Sequence, residues 1–132
     1  MAQEPPFISP SEKTYLKGLV HLKIKIMSEI PNFNYIDQLA DGDEAFKSKL
    51  LLVIKNEFPL ELQQYHEAVS SSDLSRIASV VHKLKNKISM LGLESSYLIA
   101  QEYEESLKQN RTSKKESFEE VLTLMTNFIN SF

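Results

Sequence analysis

Apolar side chains recur every three or four residues along most of the chain after residue 34, the spacing of an amphipathic helix. The clearest case lies between residues 73 and 91, where the apolar positions are spaced 3, 4, 3, 4 and 3 residues apart. They are Leu74, Ile77, Val81, Leu84, Ile88 and Leu91. This pattern predicts a helix over 73–91 that buries one face against neighbouring helices.

Similar spacing predicts further helices before and after this one. Phe58-Pro59 interrupts the pattern, because proline disfavours helix at the preceding residue and starts helices well. The predicted segments are 35–40, 43–57, 59–70, 94–109 and 114–130. Since short links make neighbouring helices antiparallel, we expect an all-α fold. Its predicted form is an antiparallel up-down-up-down four-helix bundle with an extra C-terminal helix.

Residues 1–32 do not show this helical spacing. They include Pro5, Pro6 and Pro10, and residues 20–26 alternate like a strand for which no partner strand is evident. We therefore assign residues 1–32 to a poorly structured N-terminal extension, and residues 33–132 to the bundle. A short helix docked on the bundle is the alternative for this extension. A third hypothesis is that the natural product begins at Met27, which the intact mass of the native protein would test.

Composition excludes several classes of function. The chain has no cysteine, so disulfides, thiolate metal sites and cysteine nucleophiles are excluded. No apolar run approaches the ~20 residues that cross a membrane, and the start does not resemble a signal peptide. The net charge of −3 argues against nucleic acid as the main partner. We expect a cytoplasmic, monomeric protein.

The candidate chemistry lies on the polar side of the helix predicted over 73–91. That helix carries four cations and one anion, a net charge of +3 in an acidic protein. His82 lies at the centre of a strip of small or polar residues, with Lys85 one turn further on and Lys83 and Lys87 beside it. The other members of the strip are Ser75, Ala78, Ser79, Asn86 and Ser89.

A protruding neutral imidazole is a competent nucleophile near pH 7, and histidine can carry a covalent intermediate. Phosphoryl transfer mainly requires positioning and charge stabilisation, which one nucleophile and one cation such as Lys85 can supply. The spacing alone leaves a second interpretation open, in which His82 is an incidental member of a solvated helix face.

The run from His82 to Gly92, HKLKNKISMLG, resembles the signature of the histidine phosphotransfer (HPt) family. In that signature, histidine is followed by x-Leu-Lys-Gly and by a second glycine ten residues after it. The residues around Tyr35-Ile36-Asp37 and Gly42-Asp43-Glu44 also resemble the opening of such domains, as Asp73-Leu74 resembles the start of the histidine helix. The resemblance covers about residues 33–109.

The resemblance implies a phosphocarrier that relays phosphoryl groups between receiver-domain aspartates. His82 would be phosphorylated through Nε2, and Lys85 would hold a phosphoryl oxygen. The partners would be response-regulator receivers or a hybrid histidine kinase, docking over Ala78, Ser79, His82, Asn86 and Ser89. We also assign Ser75, Lys83 and Lys87 to this docking surface. Such a receiver would bring the aspartate and the Mg²⁺, so we expect no cofactor and no metal site in this chain.

The chain departs from the family pattern at Asn86, where glycine is usual, and at Lys87, where a small residue is usual. The main alternative is therefore a docking module that binds receivers without being phosphorylated. No glycine-rich phosphate loop is present, so we do not expect kinase activity. We interpret His21 and His66 as ordinary, partly exposed side chains, and the acidic run Glu102, Glu104 and Glu105 as a solvated helix face.

Overall fold

The computed structural model describes residues 29–132, and this part of the chain contains five α-helices and no strand. The all-helical class is confirmed. The predictions made for residues 1–28, including a start at Met27, lie outside the described residues. The helices are α1 (Asn34–Ala40), α2 (Glu44–Ser70), α3 (Leu74–Met90), α4 (Glu94–Lys108) and α5 (Lys115–Ile129).

Aspartate side chains cap the N-termini of α2 and α3. Asp43 accepts a hydrogen bond from the backbone N–H of Phe46 at 3.0 Å, ahead of α2. Asp73 accepts one from the backbone N–H of Arg76 at 3.1 Å, ahead of α3. Each carboxylate thereby satisfies one backbone N–H group that has no partner within its helix.

The predicted break at Phe58-Pro59 is wrong, because α2 runs without interruption through Pro59 for 27 residues. Phe58 is only 2% exposed, and burying this large ring holds the helix together at a position that proline disfavours locally. Because the two predicted segments are one helix, four long helices, α2 to α5, form the bundle, with the short α1 before them. Short links at 71–73, 91–93 and 109–114 connect these four helices.

The core joins all four long helices around buried aromatic rings. Tyr65 of α2, Tyr103 of α4 and Phe118 of α5 are fully buried, and the two tyrosine hydroxyls lie 3.3 Å apart. Phe118 packs at 5.4 Å from Tyr65 and 5.2 Å from Tyr103 between ring centroids. The apolar face of α3, including Leu84 and Ile88, is also fully buried, so the opposite face of α3 is turned to solvent.

Residues 29–32, which the prediction assigned to the extension, contact the bundle where α3 turns into α4. The Glu29 carboxylate accepts hydrogen bonds from the backbone N–H groups of Ser95 and Ser96, which stabilises the N-terminus of α4. The Asn32 side chain lies against Gly92, whose φ is +72°, and a Cβ there would come within 2.7 Å of it. The backbone angle of residue 92 therefore favours glycine, and a larger side chain there would also have to displace the Asn32 side chain.

Replacing Pro59 by alanine should stabilise the protein. Alanine restores an N–H that can bond to the carbonyl of Lys55 and removes the ring that crowds it. The alanine variant has a more flexible unfolded chain than the wild type, which offsets part of this gain. We therefore expect the free energy of unfolding to rise by roughly 1–2 kcal/mol. Urea denaturation of Pro59→Ala measures this, with Gln63→Ala on the same helix as control. An unchanged or lower stability would show that Pro59 carries no such cost.

Candidate functional site

The side of α3 that faces away from the core carries His82, whose side chain is 58% exposed. Ala78 is only 8% exposed and lies beside it at the contact with α4. The other members of the predicted strip that are exposed are Ser75, Ser79, Lys83, Asn86 and Ser89. The structure therefore brings most of the predicted site residues to one surface.

The residue that organises this surface comes from the neighbouring helix. Glu104 of α4 has a side chain that is 11% exposed, and its two oxygens point towards α3. Oε1 lies 3.0 Å from Nδ1 of His82, and Oε2 lies 2.9 Å from Nζ of Lys85. One buried carboxylate thus fixes both predicted chemical groups in place.

The charge of Glu104 follows from its surroundings. Burial alone would raise the pKa of Glu104, but the hydrogen bond and charge of Lys85, with a further contribution from His82, outweigh burial and lower the pKa. Glu104 is therefore ionised near neutral pH. Lys85 is itself held in place, because its side chain is 13% exposed and its Nζ lies 5.6 Å from the centre of the Tyr97 ring.

An ionised Glu104 determines which nitrogen of His82 can react. A carboxylate only accepts hydrogen bonds, so Nδ1 of His82 must carry the proton that is donated to Glu104. In the neutral imidazole the other nitrogen, Nε2, then holds the free lone pair. In this geometry Nε2 is the nitrogen with the free lone pair, on a side chain that is 58% exposed.

A groove of about 580 Å³ lies on one side of His82, between α3 and α4. Its walls are formed by residues of α3 and by residues from the second half of α4. They include Ser75, Ala78, Ser79 and Lys83 from α3, and Glu104, Leu107 and Lys108 from α4. We call this the His82 groove; the imidazole of His82 is one of its walls.

A second groove, of about 410 Å³, lies towards the other end of α3. It is lined by Ser89 of the predicted strip and by Tyr35, Tyr97 and Leu98, and we call it the Tyr97 groove. Leu98 is 55% exposed and Tyr35 is 46% exposed, so this groove presents apolar surface to solvent. Lys85 links the two grooves, because it contacts both Glu104 and the Tyr97 ring.

Comparison with known proteins identifies the family. The model of the family described as Hpt domain matches residues 49–131, which include α3, α4, α5 and most of α2. The chain belongs to the Hpt domain family. Neither the curated proteins nor the solved structures gave a match to it.

Hpt domains are helical phosphocarriers that take part in histidine phosphotransfer in phosphorelays, together with receiver domains and histidine kinases. The family seen in the sequence is thereby confirmed, although the match begins at residue 49 and does not include the predicted opening at residues 33–48. On the C-terminal side the match extends beyond residue 109, the end of the predicted range, because it includes the C-terminal helix of this Hpt domain.

Lys87 does not lie on the exposed strip, so its assignment to the docking surface is wrong. It is 8% exposed and points towards α2, where its Nζ lies 2.7 Å from Glu57 and 3.0 Å from Glu61. Burial alone would lower the pKa of Lys87, but the two carboxylates outweigh it and raise the pKa. A buried ammonium needs such partners, so Lys87 joins α3 to α2 in this Hpt domain.

The interpretation of Glu104 as part of a solvated acidic face is also wrong. Glu104 lies four residues after Ala100 and three before Leu107, and both of these are buried on α4. A carboxylate in the register of an apolar face must find cationic or hydrogen-bonding partners. The spacing from Ala100 and Leu107 could therefore have indicated that Glu104 is buried. The spacing of Tyr35 and Leu98 gave no indication that they line a groove beside the site.

Other features of the Hpt domain lie outside this surface. His66 is exposed on α2, with its ring against Tyr65 at 5.4 Å between centroids, and His21 lies outside the described residues. Within residues 29–132, no three histidine, cysteine or acidic side chains come together as a metal site. None of the helices in this range is both long and apolar enough to cross a membrane.

Removing the Glu104 carboxylate should change the tautomer of His82. In the wild-type Hpt domain at a pH where the ring is neutral, we expect the proton on Nδ1, whereas Glu104→Ala should shift it towards Nε2. Ring ¹⁵N chemical shifts measure this directly, and exposed His66 supplies a reference in the same spectrum. A wild-type ring protonated mainly on Nε2 would contradict the assignment.

Proposed function

We propose that this Hpt domain relays phosphoryl groups between receiver-domain aspartates through Nε2 of His82. The observation that carries the proposal is the hydrogen bond from Nδ1 of His82 to Glu104, at 3.0 Å, on an exposed helix face. This bond leaves Nε2 with its lone pair and leaves the ring accessible to a partner protein.

The transfer step uses the lone pair of Nε2. Nε2 attacks the phosphorus of a receiver's aspartyl phosphate, the P–N bond forms, and the P–O bond to the aspartyl carboxylate breaks with its electron pair. The ring keeps its proton on Nδ1, so the phosphorylated ring carries a positive charge. Glu104 lies beside that charge and offsets it in a partly buried site.

The same arrangement serves the reverse step. When a second receiver's aspartate attacks the phosphorus, the P–N bond breaks and its electron pair returns to Nε2. The ring becomes neutral again with its proton still on Nδ1, bonded to Glu104. No proton has to enter or leave in either direction, which suits a carrier that both accepts and donates the phosphoryl group.

Lys85 has two roles under this proposal. It keeps Glu104 ionised and oriented through its 2.9 Å bond to Oε2. An ammonium has three N–H donors, so the bond to Glu104 leaves others for a phosphoryl oxygen on His82. Since the Tyr97 ring also restrains the Lys85 chain, the cation is held in place before the phosphoryl group arrives.

The receiver docks, in this proposal, across the exposed face of α3 and both flanking grooves. Its contacts include the small side chains of Ser75, Ala78 and Ser79, which allow close approach to His82, and Lys83, Asn86 and Ser89. The apolar Tyr35 and Leu98 extend the surface beyond the strip predicted from sequence. The receiver brings its own aspartate and Mg²⁺, so this chain needs no cofactor.

Asn86 favours one competing function. It is exposed on α3 one turn beyond His82, where the family usually has glycine. A larger side chain there restricts how closely a receiver can approach the ring. The alternative is therefore a module that binds receivers without accepting phosphoryl groups, and the two functions differ in whether the chain becomes labelled.

Replacing His82 by glutamine should abolish phosphorylation without unfolding the protein. The test is transfer of radiolabel from a panel of phosphorylated receivers to the wild type, His82→Gln and His66→Gln. We expect acid-labile, base-stable label on the wild type and on the His66 control, and none on His82→Gln. The free energy of unfolding of His82→Gln should stay within about 0.5 kcal/mol of wild type, because His82 is exposed.

Two results of this experiment would contradict the proposal. Label that persists on His82→Gln would place the phosphorylated residue elsewhere. A wild type that binds receivers but takes no label from any of them would favour the docking module. In that case Asn86→Gly is the informative variant, because recovery of label would show that the larger side chain blocks transfer.

Introducing a charge into the Tyr97 groove should weaken receiver binding. We expect Leu98→Asp to raise the Kd for a receiver that labels the wild type by roughly five- to tenfold, since it removes apolar contact area. Leu52→Asp is the matched control, because Leu52 is 58% exposed on α2 against 55% for Leu98. Calorimetric titration gives both values. Equal Kd values for the two variants would remove the Tyr97 groove from the docking surface.

A further inference from the structure

Lys108 is a cation of the His82 groove that neither the sequence pattern nor the family signature singles out. It is the last residue of α4, and it lines the groove together with His82 and Glu104. Its side chain is 67% exposed, whereas that of Lys85 is 13% exposed. Of these two cations, Lys108 therefore has far more freedom to move.

The position of Lys108 is linked to the ring of His82 through a shared oxygen. Its Nζ lies 3.9 Å from Oε1 of Glu104, and Nδ1 of His82 lies 3.0 Å from the same oxygen. Lys85 contacts the other oxygen, Oε2, at 2.9 Å. The two lysines thus approach Glu104 from two helices and through different oxygens.

A long, weakly held ion pair at an exposed position contributes little to stability. The contact between Lys108 and Glu104 is of this kind, so the ammonium can leave Glu104 at small cost. A phosphoryl group on Nε2 of His82 would place up to two negative charges in the same groove. That group offers a stronger partner to a mobile ammonium than a carboxylate that already binds His82 and Lys85.

We propose that Lys108 is a second phosphoryl-contact residue, which moves from Glu104 to the phosphoryl group once His82 is phosphorylated. This inference rests on the proposed function, because it requires a phosphoryl group on Nε2. Lys85 contacts the group from α3 and Lys108 contacts it from α4, across the His82 groove. The phosphorylated form is then stabilised by cations on two helices.

A purely structural role for Lys108 is the alternative to be tested. A cation at the last residue of a helix interacts favourably with the helix dipole, and Lys108 is also four residues from Glu104. Both effects stabilise α4 whether or not His82 is phosphorylated. The decisive readout must therefore come from the phosphoryl group itself.

The experiment compares the full-length wild type, Lys108→Ala, Lys108→Arg and Lys49→Ala, an exposed lysine on α2 that serves as the matched control for loss of charge. Each is equilibrated with the same phosphorylated receiver. We expect Lys108→Ala to lower the ratio of phosphorylated to free domain by about two- to fivefold relative to wild type and Lys49→Ala. Lys108→Arg should restore it, and about 0.5 M salt should shrink the difference.

A second measurement removes the receiver. The ³¹P signal of the isolated phosphorylated domain is followed against pH, and its midpoint should lie higher in Lys108→Ala than in wild type, because a nearby cation favours the doubly charged phosphoryl group. Equal midpoints in the two proteins would overturn the inference, even if transfer differs, since Lys108 would then act on the receiver. A wild type that takes no label at all would instead overturn the proposed function, and this inference with it.

Discussion

The site depends on one buried carboxylate. Glu104 accepts from Nδ1 of His82 with one oxygen and from Lys85 with the other, at 3.0 and 2.9 Å. A buried negative charge is costly unless it is paired, and the largely buried ammonium of Lys85 supplies that pairing. The same contacts set the tautomer of His82, hold Lys85 in place and join α3 to α4.

The rest of the bundle keeps α3 and α4 in the relative position that this contact requires. At the turn between them, Gly92 allows Asn32 to approach closely, and Glu29 binds the first backbone N–H groups of α4. On the opposite side of α3, Lys87 binds two carboxylates of α2. The helix α3 is therefore held by contacts with α2 and by contacts at its C-terminal turn. The face that carries His82 stays exposed.

The sequence predicts the parts of the fold that depend on local pattern. The apolar spacing of α3, the aspartate cap at Asp73 and the exposed His82 all follow from residues close together in the chain. The break at Pro59 was predicted wrongly, because the local cost of proline is outweighed by burial of Phe58 against residues distant in sequence. Lys87 was misplaced for a related reason, since only the packing of α2 on α3 supplies its acidic partners.

The contacts of Glu104 could not be predicted from the sequence. Its register with Ala100 and Leu107 indicates burial, but the identity of its partners depends on how α4 packs on α3. The contacts at Tyr35 and Leu98 depend likewise on how α1 and α4 come together at the Tyr97 groove. The candidate residues His82 and Lys85 lie on one helix and can thus be predicted from the sequence. Glu104, which orients both of them, comes from a neighbouring helix.

The most direct test of the mechanism identifies the ring nitrogen that carries the phosphoryl group. The ¹⁵N-labelled domain is phosphorylated by a receiver, and the coupling between ³¹P and the ring nitrogens of His82 is measured. Phosphorus bonded to Nε2, with the proton retained on Nδ1, is the predicted result. Phosphorus bonded to Nδ1 would contradict it, because that nitrogen could not then donate a hydrogen bond to Glu104.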